Sequence, residues 1–223
     1  MRRLLLIDTC GRLGTVALAE ANEDGSAEVL ASEVLPGRTA SERLVAVVGQ
    51  MLKAKGWRLC ELAAIVVARG PGSFTGVRVG LAAAKGWSEA SSAPLIAVSR
   101  LEVLAGAGGY FAAPVWAVLD AGRGEVYAGE YLNGVCSREV LTTPEELRAE
   151  SEGHEMVVCE ANVFSRLDGL SPVLVEETGA VDLLGIAVKR LAPGAFDDVV
   201  LLDANYLRRM EQEIAVRLAA QGR

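Results

Sequence analysis

The chain has 223 residues, 51% hydrophobic, 5% aromatic and 23% charged, with a net charge of −7 and a mean hydropathy of +0.30. That length supplies one large domain or two small ones with ample core, and no apolar run approaches the roughly 20 residues of a bilayer helix. The acidic balance argues against a direct grip on nucleic acid, which uses a basic face. The apolar start Leu4-Leu5-Leu6-Ile7 mimics a signal peptide only until Asp8 ends it, so a soluble, cytoplasmic protein with no membrane attachment is expected.

Residues 4–8 read as a buried strand. After the turn Cys10-Gly11-Arg12, residues 13–20 alternate as a second strand, and 27–35 give a third. Residues 39–55 lack proline, start with Ser/Thr capping candidates and stop at Gly56, which predicts a helix. Residues 62–68 form a β-branched run, followed by a glycine-rich loop, a second helix over 76–90 and a short strand at 95–98. The second half then repeats the opening. Asp8 and Asp120 each end an apolar strand before a Gly-Arg turn and an alternating strand, half a chain apart, which predicts a duplicated α/β unit. A strand over 133–141, a helix over 144–150, a strand over 156–159, a helix over 179–191 and a polar helical tail complete the reading. The expected division is 1–100, 101–205 and a tail of 206–223. No low-complexity linker parts the halves, so direct packing is expected.

Cys10, Cys60, Cys136 and Cys159 match no zinc spacing and read as small buried residues of a reducing compartment. His154 is the only histidine and reads as a surface-loop residue; one histidine excludes a His-x-x-x-His metal motif, and no metal site is expected. The loop Gly70-Pro71-Gly72-Ser73-Phe74-Thr75-Gly76 joins a buried strand to a helix N-terminus, where backbone N–H groups favour an anion. It fails both the dinucleotide and the P-loop spacing. Three readings stay open for Gly70, Gly72, Ser73, Thr75 and Arg78: a tight turn with Ser73 or Thr75 as helix cap, a phosphate or nucleotide site, or a partner contact. Asp8, with Thr9, and Asp120 stand where either turn-capping carboxylates or phosphate and Mg²⁺ holders belong.

Both first-half helices carry more apolar surface than the 100° stripe a core needs. The first presents Leu44, Val45, Ala46, Val47, Val48, Met51 and Leu52. The second presents Val77, Val79, Leu81 and Trp87 beside a Gly76, Gly80, Ala84 repeat that would let another helix approach. Packing inside one domain and pairing between chains are both open, and the apolar surplus of the whole chain favours a partner. On that reading, Ala83→Arg or Gly80→Glu would break association and leave the fold intact.

The string from Gly70 to Leu81, with Leu6-Ile7-Asp8-Thr9, Asp120-Ala121, Glu125-Val126-Tyr127 and Tyr206-Leu207-Arg208, resembles the TsaB (YeaZ) family over essentially the whole chain. It departs from that pattern at Gly122, where the family places arginine, and at Ala204, where proline is frequent. The resemblance implies a duplicated actin/Hsp70-like (ASKHA) fold of two RNase H-like halves. It also implies a non-catalytic subunit of the bacterial complex that makes N6-threonylcarbamoyladenosine beside the tRNA anticodon. A TsaD-like paralogue would carry the metal site and transfer the threonylcarbamoyl group. A TsaE-like ATPase would join through the complex, and tRNA would be met only indirectly. Self-association as a homodimer through the same helices is implied too. Partner contacts then fall on Leu44, Val47, Val48 and Met51 of the first helix and on Phe74, Gly76, Val79, Gly80, Ala83, Ala84 and Trp87 of the second. No cofactor is expected, with a nucleotide at the partner interface left open. The runner-up is an ASKHA-type ATPase or small-molecule kinase; a third reading is a homodimeric scaffold.

Overall fold

The computed structural model describes residues 1–35, 40–109, 114–151, 154–167 and 169–207. They form two compact units, Met1–Val103 with Glu177–Asn205, and Leu104–Glu176 with Tyr206 and Leu207. The predicted tail lies outside the described residues from position 208.

The first unit is built on β1 (Arg2–Asp8), β2 (Gly14–Ala21), β3 (Ala27–Leu35), β4 (Leu62–Ala68) and β5 (Leu95–Val98), ordered β3-β2-β1-β4-β5. The β1–β2 and β2–β3 pairs are antiparallel, whereas β1–β4 and β4–β5 are parallel. Parallel strands need crossovers, supplied by α1 (Ala40–Lys55) and α2 (Phe74–Ser91). The central strands are buried on both faces, so Leu4, Leu5, Leu6 and Ile7 of β1 and Ile65, Val66 and Val67 of β4 are inaccessible to solvent. Helix α3 (Arg100–Ala107), which the sequence reading did not foresee, follows β5.

The second unit repeats this plan. Its strands β6 (Val115–Gly122), β7 (Glu125–Leu132), β8 (Val135–Thr142), β9 (Glu155–Val158) and β10 (Val173–Leu174) are ordered β8-β7-β6-β9-β10, with α4 (Pro144–Glu150) before β9 and α5 (Ala161–Arg166) after it. The two hairpin pairs are again antiparallel and the other two parallel. Strand β6 therefore stands for β1, and Asp120 for Asp8. The repeat read from the two aspartates is a repeat of topology.

One boundary differs from the sequence division. Residues 177–205 return to the first unit through a 3-10 turn, Ala180–Leu183, and α6 (Leu184–Leu191). The Thr15 hydroxyl accepts from the Ala180 N–H at 2.8 Å. Beyond α6, the Asp197 N–H donates to the Leu95 carbonyl at 2.8 Å, and the Asp197 carboxylate accepts from the Ala97 N–H at 2.7 Å. These bonds cover the edge of β5, which would otherwise offer unpaired backbone groups. No helix among the described residues is long and apolar enough to cross a membrane.

Candidate functional site

The glycine-rich loop is a packing knot between β1 and α2. Ser73 caps α2, its hydroxyl accepting from the Gly76 N–H at 3.3 Å. Thr75 is exposed within the first turn. The Ser73 N–H donates to the Cys10 carbonyl at 2.8 Å, and the Thr9 hydroxyl donates to the Gly76 carbonyl at 2.6 Å. Gly70 takes a positive φ of 94°, which glycine tolerates at little cost; the Gly70-Pro71 bond is cis. A Cβ at Gly72 would lie 2.4 Å from the Cys10 carbonyl oxygen.

The same geometry corrects the reading of the Gly76, Gly80, Ala84 repeat. A Cβ on Gly76 would stand 1.9 Å from the Thr9 carbonyl oxygen, and one on Gly80 would stand 2.4 Å from the Thr9 hydroxyl. Ala84 is fully buried. The small-residue face thus receives the end of β1 of its own chain, because helix backbone and strand end must approach closely there. Gly80→Glu is accordingly expected to disrupt the fold, contrary to the sequence expectation.

Asp8 and Arg100 form the charged centre of this knot. Arg100 Nε lies 3.4 Å from Asp8 Oδ2, and both side chains are only 5% exposed. Asp8 Oδ1 accepts from the Cys10 N–H at 2.7 Å, and the Arg100 N–H donates to the Gly70 carbonyl at 2.9 Å. A Cβ at Gly11 would meet Glu177 Oε1 at 2.9 Å and Arg100 Nη2 at 3.1 Å. Arg100 and Glu177 were not singled out from sequence, since neither belongs to a motif and both approach the site from distant segments. Asp120 repeats the pattern in the second unit. Its Oδ1 accepts from the Gly122 N–H at 3.0 Å and from Arg166 Nη1 at 3.1 Å, and its Oδ2 accepts from Asn162 at 2.9 Å. Both aspartates therefore cap the turn that follows their strand, each beside an arginine. Among the described residues, no group of three or more His, Cys, Asp or Glu is placed to hold a metal ion.

Burial pushes the Cys10 thiol well above its ordinary range, reinforced by the nearby Asp8 carboxylate and opposed by Arg100. Its Sγ lies 3.2 Å from the Ala68 carbonyl oxygen. Cys60 and Cys136 are exposed, against the expectation of four buried cysteines. Since only thiolate attacks a disulfide reagent, Ellman's reagent at pH 8 is expected to modify Cys60 in the native protein and Cys10 only after unfolding. Peptide mass mapping reads the order of modification.

The helix surfaces sort the predicted partner residues into two groups. In α1, Leu44, Val47, Val48 and Met51 form, with Leu52, one inward stripe in the core; Leu44 and Val48 are each 1% exposed. The outward apolar residue of α1 is Val45, 60% exposed, with Ala46 and Gly49 beside it in sequence. In α2, Gly80 and Ala84 are buried, and Gly76, Val79, Ala83 and Trp87 are half-buried. Phe74 is 51% exposed and carries Arg78 over its ring, with the guanidinium carbon 3.5 Å from the ring centroid. Arg78 is thus stacked on an aromatic on the outside of α2.

Two sheets of one topology, each with an aspartate at or near the end of its first strand, define a duplicated α/β protein of the actin/Hsp70-like class. The family model for TsaD, tRNA N6-adenosine threonylcarbamoyltransferase, matches residues 30–147. The chain is 45% identical over 82 residues to the tRNA threonylcarbamoyladenosine biosynthesis protein TsaB of Bacillus subtilis, covering 36% of each chain. It is 40% identical over 132 residues to the Escherichia coli TsaB, covering 58% of this chain and 54% of that one. These matches span between about a third and about half the length of the curated relatives. The solved structure of YeaZ from Pseudomonas aeruginosa superposes with a TM-score of 0.75 at 30% identity, covering 93% of this chain and all of that one. The chain belongs to the TsaB (YeaZ) family.

Proposed function

We propose that this chain is a non-catalytic subunit in the making of threonylcarbamoyladenosine in tRNA, and that it binds a TsaD-like threonylcarbamoyltransferase through the outer faces of α1 and α2. The names of its relatives point to the pathway. The observation behind the surface is a pair of glycines. Gly49 in α1 and Gly86 in α2 are exposed, and a Cβ on either would meet nothing within 4 Å. Interior helix glycines cost about 1 kcal/mol each relative to alanine, and nothing among the described residues offsets that cost at these two positions. Close approach of a second helix backbone does, beside Val45 and the Phe74–Arg78 stack, which is of the aromatic and arginine type that dominates interfaces.

The net charge of −7 fits a division of labour in which the partner holds the tRNA. A TsaE-like ATPase then joins through the complex, self-association uses the same face, and the complex works in the cytoplasm. An ATPase or kinase role has less behind it. Asp8, which would face Mg²⁺ and phosphates, has one oxygen on the Cys10 N–H and the other beside Arg100. Calorimetric titration with ATP tests this: tight binding abolished by Asp8→Ala would favour the enzyme.

Co-expression with the TsaD-like paralogue tests the main reading. Val45→Asp, Phe74→Asp and Gly86→Arg are each expected to weaken association by about 2 kcal/mol, roughly thirtyfold, without loss of the fold. Co-purification of all three at the level of the unaltered chain overturns the surface. Failure of the unaltered chain to bind the paralogue overturns the function.

A further inference from the structure

We propose that Trp116, His154 and Glu130 form a proton-operated switch in the second unit, in which the single histidine of the chain exchanges an indole partner for a carboxylate. His154 lies in the loop that enters β9, as its polar sequence setting implies, with its side chain 29% exposed. The indole N–H of Trp116, a side chain wholly closed to solvent, donates to His154 Nδ1 at 3.2 Å. An Nδ1 that accepts this bond carries no proton, so the ring is neutral with its hydrogen on Nε2. Glu130 Oε1 lies 4.0 Å from the same Nδ1.

Protonation turns Nδ1 into a donor and sets it against the indole donor. The Trp116 N–H, buried in the core, is left without its acceptor, and unpaired buried donors are unfavourable. The imidazolium gains the Glu130 carboxylate in exchange. Both alternatives are held ready by the sheet, because Trp116 and Glu130 are register partners across β6 and β7, and Glu130 and Arg138 across β7 and β8. Among the described residues, the charged groups linked to the ring are Glu130 from β7, Arg138 from β8 on Glu130, and Glu150 from α4 on Arg138, with Glu155 of β9 next to His154 in sequence. Arg138 lies 3.3 Å from Glu130 Oε2 and 2.7 Å from Glu150 Oε2, and its guanidinium carbon is 4.9 Å from the Trp116 ring centroid. Glu130 thus keeps one oxygen on Arg138 and turns the other to the histidine. In the neutral state the start of β9 is tied to β6; in the protonated state it is tied to β7. Imidazoles as a class change charge between about pH 5 and 8, which sets the range to be scanned.

The experiment uses the full chain with ¹⁵N-labelled indoles, which give three N–H signals, from Trp57, Trp87 and Trp116. From pH 8 to 5, the Trp116 signal, assigned with Trp116→Phe, is expected to follow a reversible one-proton curve. Its midpoint should match that of the carbon-bound ring protons of His154, which as the only histidine needs no assignment variant. In His154→Gln, whose side-chain carbonyl can accept the indole bond without titrating, the Trp116 signal stays flat. Glu130→Gln moves the midpoint to lower pH, because the imidazolium loses its counter-charge. A Trp116 signal that ignores pH in the unaltered chain overturns the switch. So does one that still titrates in His154→Gln, or whose midpoint differs from that of the histidine ring.

Discussion

Gly76→Ala is expected to destabilise the first unit by about 3 kcal/mol or more, at the upper end of the cost of overpacking. The added methyl would stand 1.9 Å from the Thr9 carbonyl oxygen, and neither side can yield cheaply. Thr9 directly follows β1, which is hydrogen-bonded to β2 on one side and to β4 on the other. Gly76 lies in the first turn of α2, held by the Ser73 cap and by the Thr9 hydroxyl on its carbonyl. Relief therefore means moving a central strand or a whole helix. Gly49→Ala and Gly86→Ala supply the contrast: with open space at both positions, each should raise stability by about 0.5–1 kcal/mol. Urea unfolding of the three variants checks both signs, and a Gly76→Ala loss below that of an ordinary surface substitution would contradict the packing described for Thr9.

The second large effect falls on the buried pair. Arg100→Met is expected to cost about 3–5 kcal/mol, because it strands the Asp8 carboxylate in a site closed to water. Asp8→Asn should also destabilise, because the buried Arg100 guanidinium loses the charge of the Asp8 carboxylate 3.4 Å away. The combination Asp8→Asn/Arg100→Met should recover a substantial part of the summed loss, since replacing both partners of a buried ion pair is far milder than removing one. Unfolding curves for the four proteins give the coupling energy. Additive single losses would mean that the two groups do not act as a pair. The backbone bond from the Arg100 N–H to Gly70 survives the side-chain change, so the loss reads the guanidinium alone.

Much of the architecture was legible in one dimension. Alternation in 13–20, the apolar runs at 4–8 and 62–68 and the matching Asp-Gly-Arg turns specified strands and their duplication, because strand period and turn chemistry act within a few residues. The helices over 39–55 and 76–90 were legible for the same reason; α3 and α5, short and without marked caps, were not. The string from Gly70 to Leu81 carried the family resemblance by itself.

The use of each residue was another matter. Gly76, Gly80, Gly49 and Gly86 look alike in sequence, as glycines inside apolar helices. Two of them admit the end of β1 and two face open space, and only the rotation of α1 and α2 about their own axes over the sheet separates the pairs. Likewise the surplus of apolar residues in α1 was plain, but its division into a core stripe at Leu44, Val47, Val48 and Met51 and an outward Val45 required the sheet beneath it. Arg100, Glu177 and His154 have no local signature at all, since each acquires its role from a partner brought close by sheet order. Most of the elements, their repetition and the family could be read along the chain, because they are properties of neighbouring residues. Tertiary structure alone decided which glycines serve the core, which charge answers Asp8 and where the lone histidine finds its acceptor, because those depend on contacts between residues far apart along the chain.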